Sequence, residues 1–258
     1  MAARSKAKKV RADVLLFERG LVESRSKAAA MIMAGQVFVG DERVDKAGEK
    51  VPADAELSVK GVRRFVSRGG DKLDHALALF AEEGLDVRDR VAVDVGASTG
   101  GFTDCLLQRG AAKVYAVDVG YGQLHQALRD DARVVCRERT NARHLSRDDF
   151  DEPITLAVCD ASFIGIGKLI GAIAGFLEPS GDLVTLVKPQ FEVGKEIATK
   201  HKGVIPEGEA RERAIAEAIA AIEAAGFSIE ARADSAVRGP KGNLEHLVWA
   251  RRVTTTPL

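Results

Sequence analysis

From Arg90 onward, apolar runs of strand length alternate with stretches of helical period. Strands are expected at 91–95, 114–117, 134–136, 154–159 and 183–187, with helical segments in most of the intervals. A longer helix is expected over 209–225, stopped by Gly226, and two final strands at 227–233 and 246–252. Neighbouring parallel strands need crossover connections, usually helical, so this order predicts a mostly parallel, doubly wound α/β sheet of Rossmann-like type. Such sheets take ligands at the carboxyl ends of their strands.

The residues ahead of that alternation follow another rhythm. Val14, Leu15, Phe17 and Leu21 are spaced as the buried stripe of a short helix that Gly20 closes. A second helix follows, with Ser24 or Ser26 placed to cap it, Ala28, Met31 and Ile32 facing inward, and Gly35 ending it. The runs 37–39 and 43–44, either side of Gly40-Asp41-Glu42, predict a tight hairpin. Residues 1–68 carry 15 Lys and Arg against 9 Asp and Glu, which leaves 23 against 29 for the rest, so a net charge of zero hides a basic front end. Arg11, Arg25, Lys27, Arg63, Arg64 and Arg68 are candidate contacts to an RNA backbone, aided by free amides at the start of the second helix. A solvated basic face is the plainer alternative. The string RADVLLFERGLVESRSKAAAMIMAGQVFVGDERV resembles the RNA-binding domain of the ribosomal small-subunit protein S-four type. A small α+β RNA-binding domain is therefore expected over 1–61, a basic linker over 62–68 and the Rossmann-like domain over 69–258.

The segment Asp94, Val95, Gly96, Ala97, Ser98, Thr99, Gly100, Gly101, Phe102 leaves a strand and enters a helix, where glycines let the backbone turn and approach a ligand. It is not G-x-G-x-x-G, which weighs against a nicotinamide or flavin enzyme. Its D-x-G-x-x-x-G-G form resembles the first motif of S-adenosylmethionine-dependent methyltransferases. Asp118 ends the next strand, where Rossmann-type sites place an acid for ribose hydroxyls, with Val119 beside it. Thr140 and Asn141 follow the third strand at the same edge and suit adenine or methionine contacts.

Asp160 and Lys188 end the fourth and fifth strands, Glu245 opens the last strand, and Lys72 starts the helix before the first. Methyl transfer to a hydroxyl needs in-line positioning and a group that polarises the hydroxyl or stabilises its developing charge. Lys72, Asp160, Lys188 and Glu245 match the Lys-Asp-Lys-Glu tetrad of FtsJ-type ribose 2′-O-methyltransferases. With SRGGDKL, DVGASTGGFTD, DVGYGQL, ERTNAR, DASFI, LVKPQFEVGK and GNLEH, the chain resembles the TlyA family, also labelled hemolysin A. That resemblance implies S-adenosylmethionine as methyl donor and 2′-O-methylation of cytidine in ribosomal RNA of one or both subunits. It places Lys188 beside the target hydroxyl, held by Asp160 and Glu245, with Lys72 adding positive potential. Each position has a structural alternative. Asp160 fits an adenosine-contacting acid, Lys72 and Lys188 surface lysines, and Glu245 a partner of Lys241 or His246. Lys195, Lys200, His201 and Lys202 suit either an RNA path or a solvated loop.

Cys105, Cys136 and Cys159 lack metal-ligand spacing and the even count of a disulfide framework, and the five histidines show no metal pattern, so no metal is expected. No run approaches the about 20 apolar residues of a membrane span. The basic first ten residues lead into Arg11 and Asp13 rather than an apolar stretch. A cytoplasmic monomer acting on ribosomal RNA or ribosomal subunits is therefore expected, without membrane contact. Two competing readings are a membrane-active hemolysin, from the family label, and an RNA-binding protein that has lost catalysis.

Overall fold

The computed structural model describes residues 9–61, 64–239 and 241–253, and the chain divides into two compact units at 63/64. Arg63 and the basic residues before Lys9 lie outside the described residues.

The first unit comprises β1 (Lys9–Arg11), α1 (Ala12–Glu18), α2 (Arg25–Met33), β2 (Val37–Val39), β3 (Glu42–Arg43), β4 (Lys50–Pro52) and β5 (Leu57–Val59). Ser24 caps α2 by accepting the Lys27 N–H, and Ala28, Met31 and Ile32 are buried, as the sequence suggests. The stripe of α1 differs: Phe17 and Leu21 are 46% and 41% exposed, and Ala12, Leu15 and Leu16 carry the buried face instead. Leu15 and Leu16 are adjacent in sequence, so their contacts with α2 and the small sheets turn the helix about one residue from the expected stripe. The hairpin turn is Gly40-Asp41, with Val39 opposite Glu42, and β5 adds a third antiparallel strand.

In the second unit, α3 (Arg68–Ala81) precedes β6 (Val91–Val95), α4 (Gly101–Gln108), β7 (Lys113–Val117), α5 (Gln126–Arg129), β8 (Val134–Arg137) and β9 (Ile154–Cys159). Then come α6 (Ile170–Phe176), β10 (Leu177–Val187), α7 (Pro189–Glu192), α8 (Lys195–Lys200), α9 (Glu209–Ala224), β11 (Phe227–Asp234) and β12 (His246–Arg252). The seven strands form one sheet in the order β11-β12-β10-β9-β6-β7-β8, in which β12 runs antiparallel to both its neighbours, β10 and β11, and the other pairs are parallel. Side chains alternate between its faces, so Leu247 and Trp249 of β12 join the core with α3 and α4, and Val248 and Ala250 join the core with α6 and α9.

The expected linker is shorter than 62–68. Phe65 is 3% exposed within the α3–α4 core, the Val66 N–H donates to Asp104, and Ser67 caps α3. Burying an aromatic ring stabilises far more than leaving it on a tether, which draws 64–68 into the second unit.

Candidate active site

Strand register alone brings three of the four candidate residues to one edge. β9 and β10 run parallel and end at Cys159 and Val187, immediately before Asp160 and Lys188. β12 is antiparallel to β10 and pairs His246 with Val187, so Glu245 arrives at the same edge from the opposite direction. Lys72 reaches it from the start of α3, where the Ser67 hydroxyl accepts the Gly69 N–H.

The four side chains form two ion pairs. Lys72 Nζ lies 2.5 Å from Glu245 Oε2, with side chains only 7% and 1% exposed. Lys188 Nζ lies 2.7 Å from Asp160 Oδ1, in a direction that makes an ion pair but no hydrogen bond. The ammonium donates instead to the Asp160 backbone carbonyl at 3.0 Å and to the Ser162 hydroxyl at 2.9 Å. Gln190 links the pairs, its amide reaching Glu245 Oε1 at 3.4 Å from the helix that follows Lys188. Glu245 thus pairs with Lys72 and not with Lys188, Lys241 or His246, because the first turns of α3 meet the start of β12. His246 turns to Asp234, 2.7 Å away.

The glycine loop lies beside this edge. Gly96 has φ 85°, and a Cβ there would sit 3.0 Å from Ala161 Cα, so only glycine lets the loop approach the segment that carries Asp160. The Ser98 N–H donates to Asp118 Oδ2 at 2.8 Å and the Gly120 N–H to Oδ1 at 2.7 Å. Each carboxylate oxygen keeps a lone pair for a ribose hydroxyl. Thr99 is half-buried and its carbonyl accepts the His125 N–H, while Val119 is 70% exposed beside Asp118.

Several candidate cofactor residues serve packing. A Cβ on Gly101 would lie 2.2 Å from Ser67 Oγ, so its smallness lets α4 meet α3; Gly100, Ala97 and Phe102 are buried. Asp94 is fully buried and Oδ2 accepts both the Thr103 N–H (2.9 Å) and the Thr103 hydroxyl (2.7 Å), which caps α4 from the neighbouring strand. Its Oδ1 has no hydrogen-bond partner. Burial pushes the Asp94 carboxyl up to about 7, with Asp160 and Asp118 adding to the rise and the Thr103 bonds opposing it. The Thr140 N–H donates to the Asp118 carbonyl, and Asn141 Oδ1 accepts the Arg143 N–H and Nε in a 3₁₀ turn.

Among the proposed RNA contacts, Arg11 and Arg25 share Asp13, at 2.9 and 3.4 Å. The Arg11 guanidinium holds the Asp13 carboxyl below its usual range, yet both arginine side chains stay half exposed. Lys27 is exposed on α2. In the second unit Arg64 pairs with Asp74 at 2.5 Å, and Arg68 is exposed at the start of α3. Lys195, Lys200 and Lys202 are exposed and His201 is half-buried. Sequence reasoning missed Ser162 and Gln190, which touch the tetrad, and Glu138, which organises the loop after Asp118. Their one signal was a position just past a strand end. Among the described residues no group of three His, Cys, Asp or Glu can hold a metal, and no helix is long and apolar enough to cross a membrane.

Residues 65–252 match the model of the FtsJ-like methyltransferases, and residues 10–57 match the S4 domain. The chain is 43% identical over 255 residues to the 16S/23S rRNA (cytidine-2′-O)-methyltransferase TlyA of Mycobacterium tuberculosis, covering 98% of this chain and 93% of the relative. It is 41% identical over 239 residues to hemolysin A of Brachyspira hyodysenteriae, covering 92% and 98%. A solved structure of a candidate hemolysin from Streptococcus thermophilus superposes with a TM-score of 0.72 at 42% identity, covering 98% of this chain and 91% of the other. With its parallel sheet, glycine loop and strand-end residues, the chain belongs to the FtsJ-like methyltransferase family, in the company of TlyA and hemolysin A relatives, and carries an S4 domain at its front.

Proposed function

We propose that the chain transfers a methyl group from S-adenosylmethionine to the 2′-hydroxyl of a cytidine in ribosomal RNA. The observation that carries this reading is the two lysine–carboxylate ion pairs at one sheet edge, one of them fully buried, beside a glycine loop whose Asp118 keeps lone pairs for a ribose. The cytidine and the ribosomal RNA come from what the TlyA relatives act on. S-adenosylmethionine supplies an electrophilic methyl group when bound, and Gly96, Ser98, Asp118 and the adjoining turn are the residues that would hold it.

Lys188 has a single exposed partner, the Ser162 hydroxyl. A ribose hydroxyl that takes the place of Ser162 receives the same donation, which fixes its oxygen and stabilises negative charge as the O–H bond breaks. Asp160 directs the ammonium by ion pair and backbone carbonyl, and its proximity keeps Lys188 from swinging away. The Lys72–Glu245 pair closes the floor of the site, while Gln190 couples it to the segment bearing Lys188. As the new O–CH₃ bond forms and the S–CH₃ bond breaks, the hydroxyl proton departs to water. Arg11, Arg25 and Lys27 of the S4 domain, with Arg63, Arg64 and Arg68, attract the RNA backbone.

The test is methyl transfer to purified ribosomal subunits that lack the modification, followed by nucleotide-level mapping of 2′-O-methyl groups. Label on a cytidine ribose is expected. Label on a base, or none on either subunit, overturns the reading.

A further inference from the structure

The turn that follows Asp118 forms one wall of the loop cluster just described. Ser98 Oγ donates to Gln123 Oε1 at 3.2 Å, and the His125 N–H donates to the Thr99 carbonyl at 3.1 Å, so this turn and the glycine loop brace each other. Its own shape depends on a residue from the next strand. Glu138, one position past β8, accepts the Gly122 N–H on Oε2 at 2.8 Å, and the Gln123 and Leu124 N–H groups on Oε1 at 2.9 and 3.2 Å. The Arg129 guanidinium contacts Oε1 as well, and Arg129 Nε donates to the Leu124 carbonyl at 3.0 Å. With Arg129 as the largest influence, followed by the amide of Gly122, these bonds hold the Glu138 carboxyl down at about 2.

Three successive amides converging on one carboxylate make an anion nest filled from within. The turn is anchored at its end by the buried Leu124, but Val119 and Tyr121 are 70% exposed, and nothing lies within 4 Å of a Cβ placed on Gly122. Glu138 joins neither hydrophobic core of the second unit. A network of this density, part-buried and set on a largely exposed turn beside Asp118, shapes a surface ahead of a ligand.

We propose that Glu138 is a positioning residue for the cofactor, holding the 120–124 turn against Ser98 so that Asp118 and the wall beside it are set before S-adenosylmethionine arrives. The inference rests on the cofactor reading above. It predicts an effect on binding and none on the chemical step, because a preorganised wall lowers the ordering cost of binding without touching the reacting atoms.

Two variants of the full-length protein test it. Glu138→Gln keeps the shape but turns one acceptor into a donor, so at least one amide loses its partner. Gly122→Ala strains the turn at φ 69° without filling occupied space. Titration calorimetry with S-adenosylmethionine should show affinity weakened about tenfold or more for Glu138→Gln and less for Gly122→Ala. Single-turnover transfer at saturating cofactor and RNA should match the wild type for both, as should RNA affinity. Folded variants that both bind within twofold of the wild type overturn the inference, as does a Glu138→Gln protein whose saturated rate falls with its affinity. If Glu138→Gln does not fold, Gly122→Ala decides alone. A wild-type chain that binds no S-adenosylmethionine overturns the cofactor reading itself, and this inference with it.

Discussion

Lys188 sits where small changes have large chemical consequences and small structural ones. Its contacts are to Asp160 and to the exposed Ser162, so Lys188→Ala should leave fold and cofactor affinity near wild type while abolishing transfer. Lys188→Arg should fail as well, since a broad planar guanidinium cannot replace a compact ammonium against one oxygen. Single-turnover assays with saturating substrates check both, and a near-normal rate for Lys188→Ala removes it from the tetrad. Glu245 is a different case because it is buried against Lys72. Glu245→Ala leaves an uncompensated buried ammonium and should cost about 3–5 kcal/mol in denaturant unfolding. Adding Lys72→Met should recover much of that stability without recovering activity; a double variant no more stable than the single would refute the buried-pair account. Asp94 makes a third residue-scale prediction. Its carboxyl titrates about 7 when folded and near 3.8 when unfolded, so the folded state holds the proton more tightly. The resulting contribution to stability is complete below about pH 4, declines as pH rises towards 7, and is absent above. Asn at this position still accepts from Thr103 and carries no charge. Urea unfolding from pH 4 to 9 should therefore show a shallower decline for Asp94→Asn, with the largest gain over wild type at the alkaline end; parallel curves would reject the shift.

At the scale of elements, Asp118 joins β7 to the glycine loop, and its loss should be felt twice. Asp118→Ala removes a seat for ribose hydroxyls and also frees the Ser98 and Gly120 amides, hydrogen bonds to a charged group that contribute about 1.5–3 kcal/mol each. Calorimetry should show markedly weaker S-adenosylmethionine binding, and unchanged affinity in a folded variant would exclude Asp118 from the site. The elements themselves were unevenly legible. Strands 91–95, 154–159 and 246–252 match the sequence reading to the residue, because aliphatic runs there end in clear turn signals. β10 begins at Leu177, six positions ahead of the expected start, since the strand continues past a bulge at Glu178-Pro179-Ser180-Gly181, where Ser180 has φ 60° and the register beside β9 shifts. The three-residue strands β1, β4 and β5 are too short to show alternation. Within the site, Asp160, Lys188 and Glu245 were legible as strand ends. Which lysine each carboxylate meets was not, because it depends on where α3 lies against β12, which has no signature in local sequence. Glu138 was hidden for the opposite reason: followed by Arg139, Thr140 and Asn141, it looks like any solvated loop acid.

For the whole molecule, the front unit has a core of its own, and the sheet of the second unit is covered on both faces by its own helices. Removing residues 1–60 should spare the fold of the remainder and greatly weaken RNA binding; full activity of the truncated chain on ribosomal subunits would show that the S4 domain is not the anchor. Residues 9–61 carry nine Lys and Arg against nine Asp and Glu, so the basic excess of the front end comes from 1–8 and 62–68. The net positive charge is concentrated on those two flanks, with Arg11, Arg25 and Lys27 between them, and RNA affinity should fall steeply with added salt. The tetrad behaves otherwise. Lys72 and Lys188 each lie within ion-pair distance of a carboxylate, so the proposed catalytic edge presents two cations already cancelled by two anions. An incoming sulfonium therefore meets almost no repulsive field there, and little counterion cloud for dissolved ions to disperse. The same beaker of salt that strips RNA from this protein should leave its methyl donor in place.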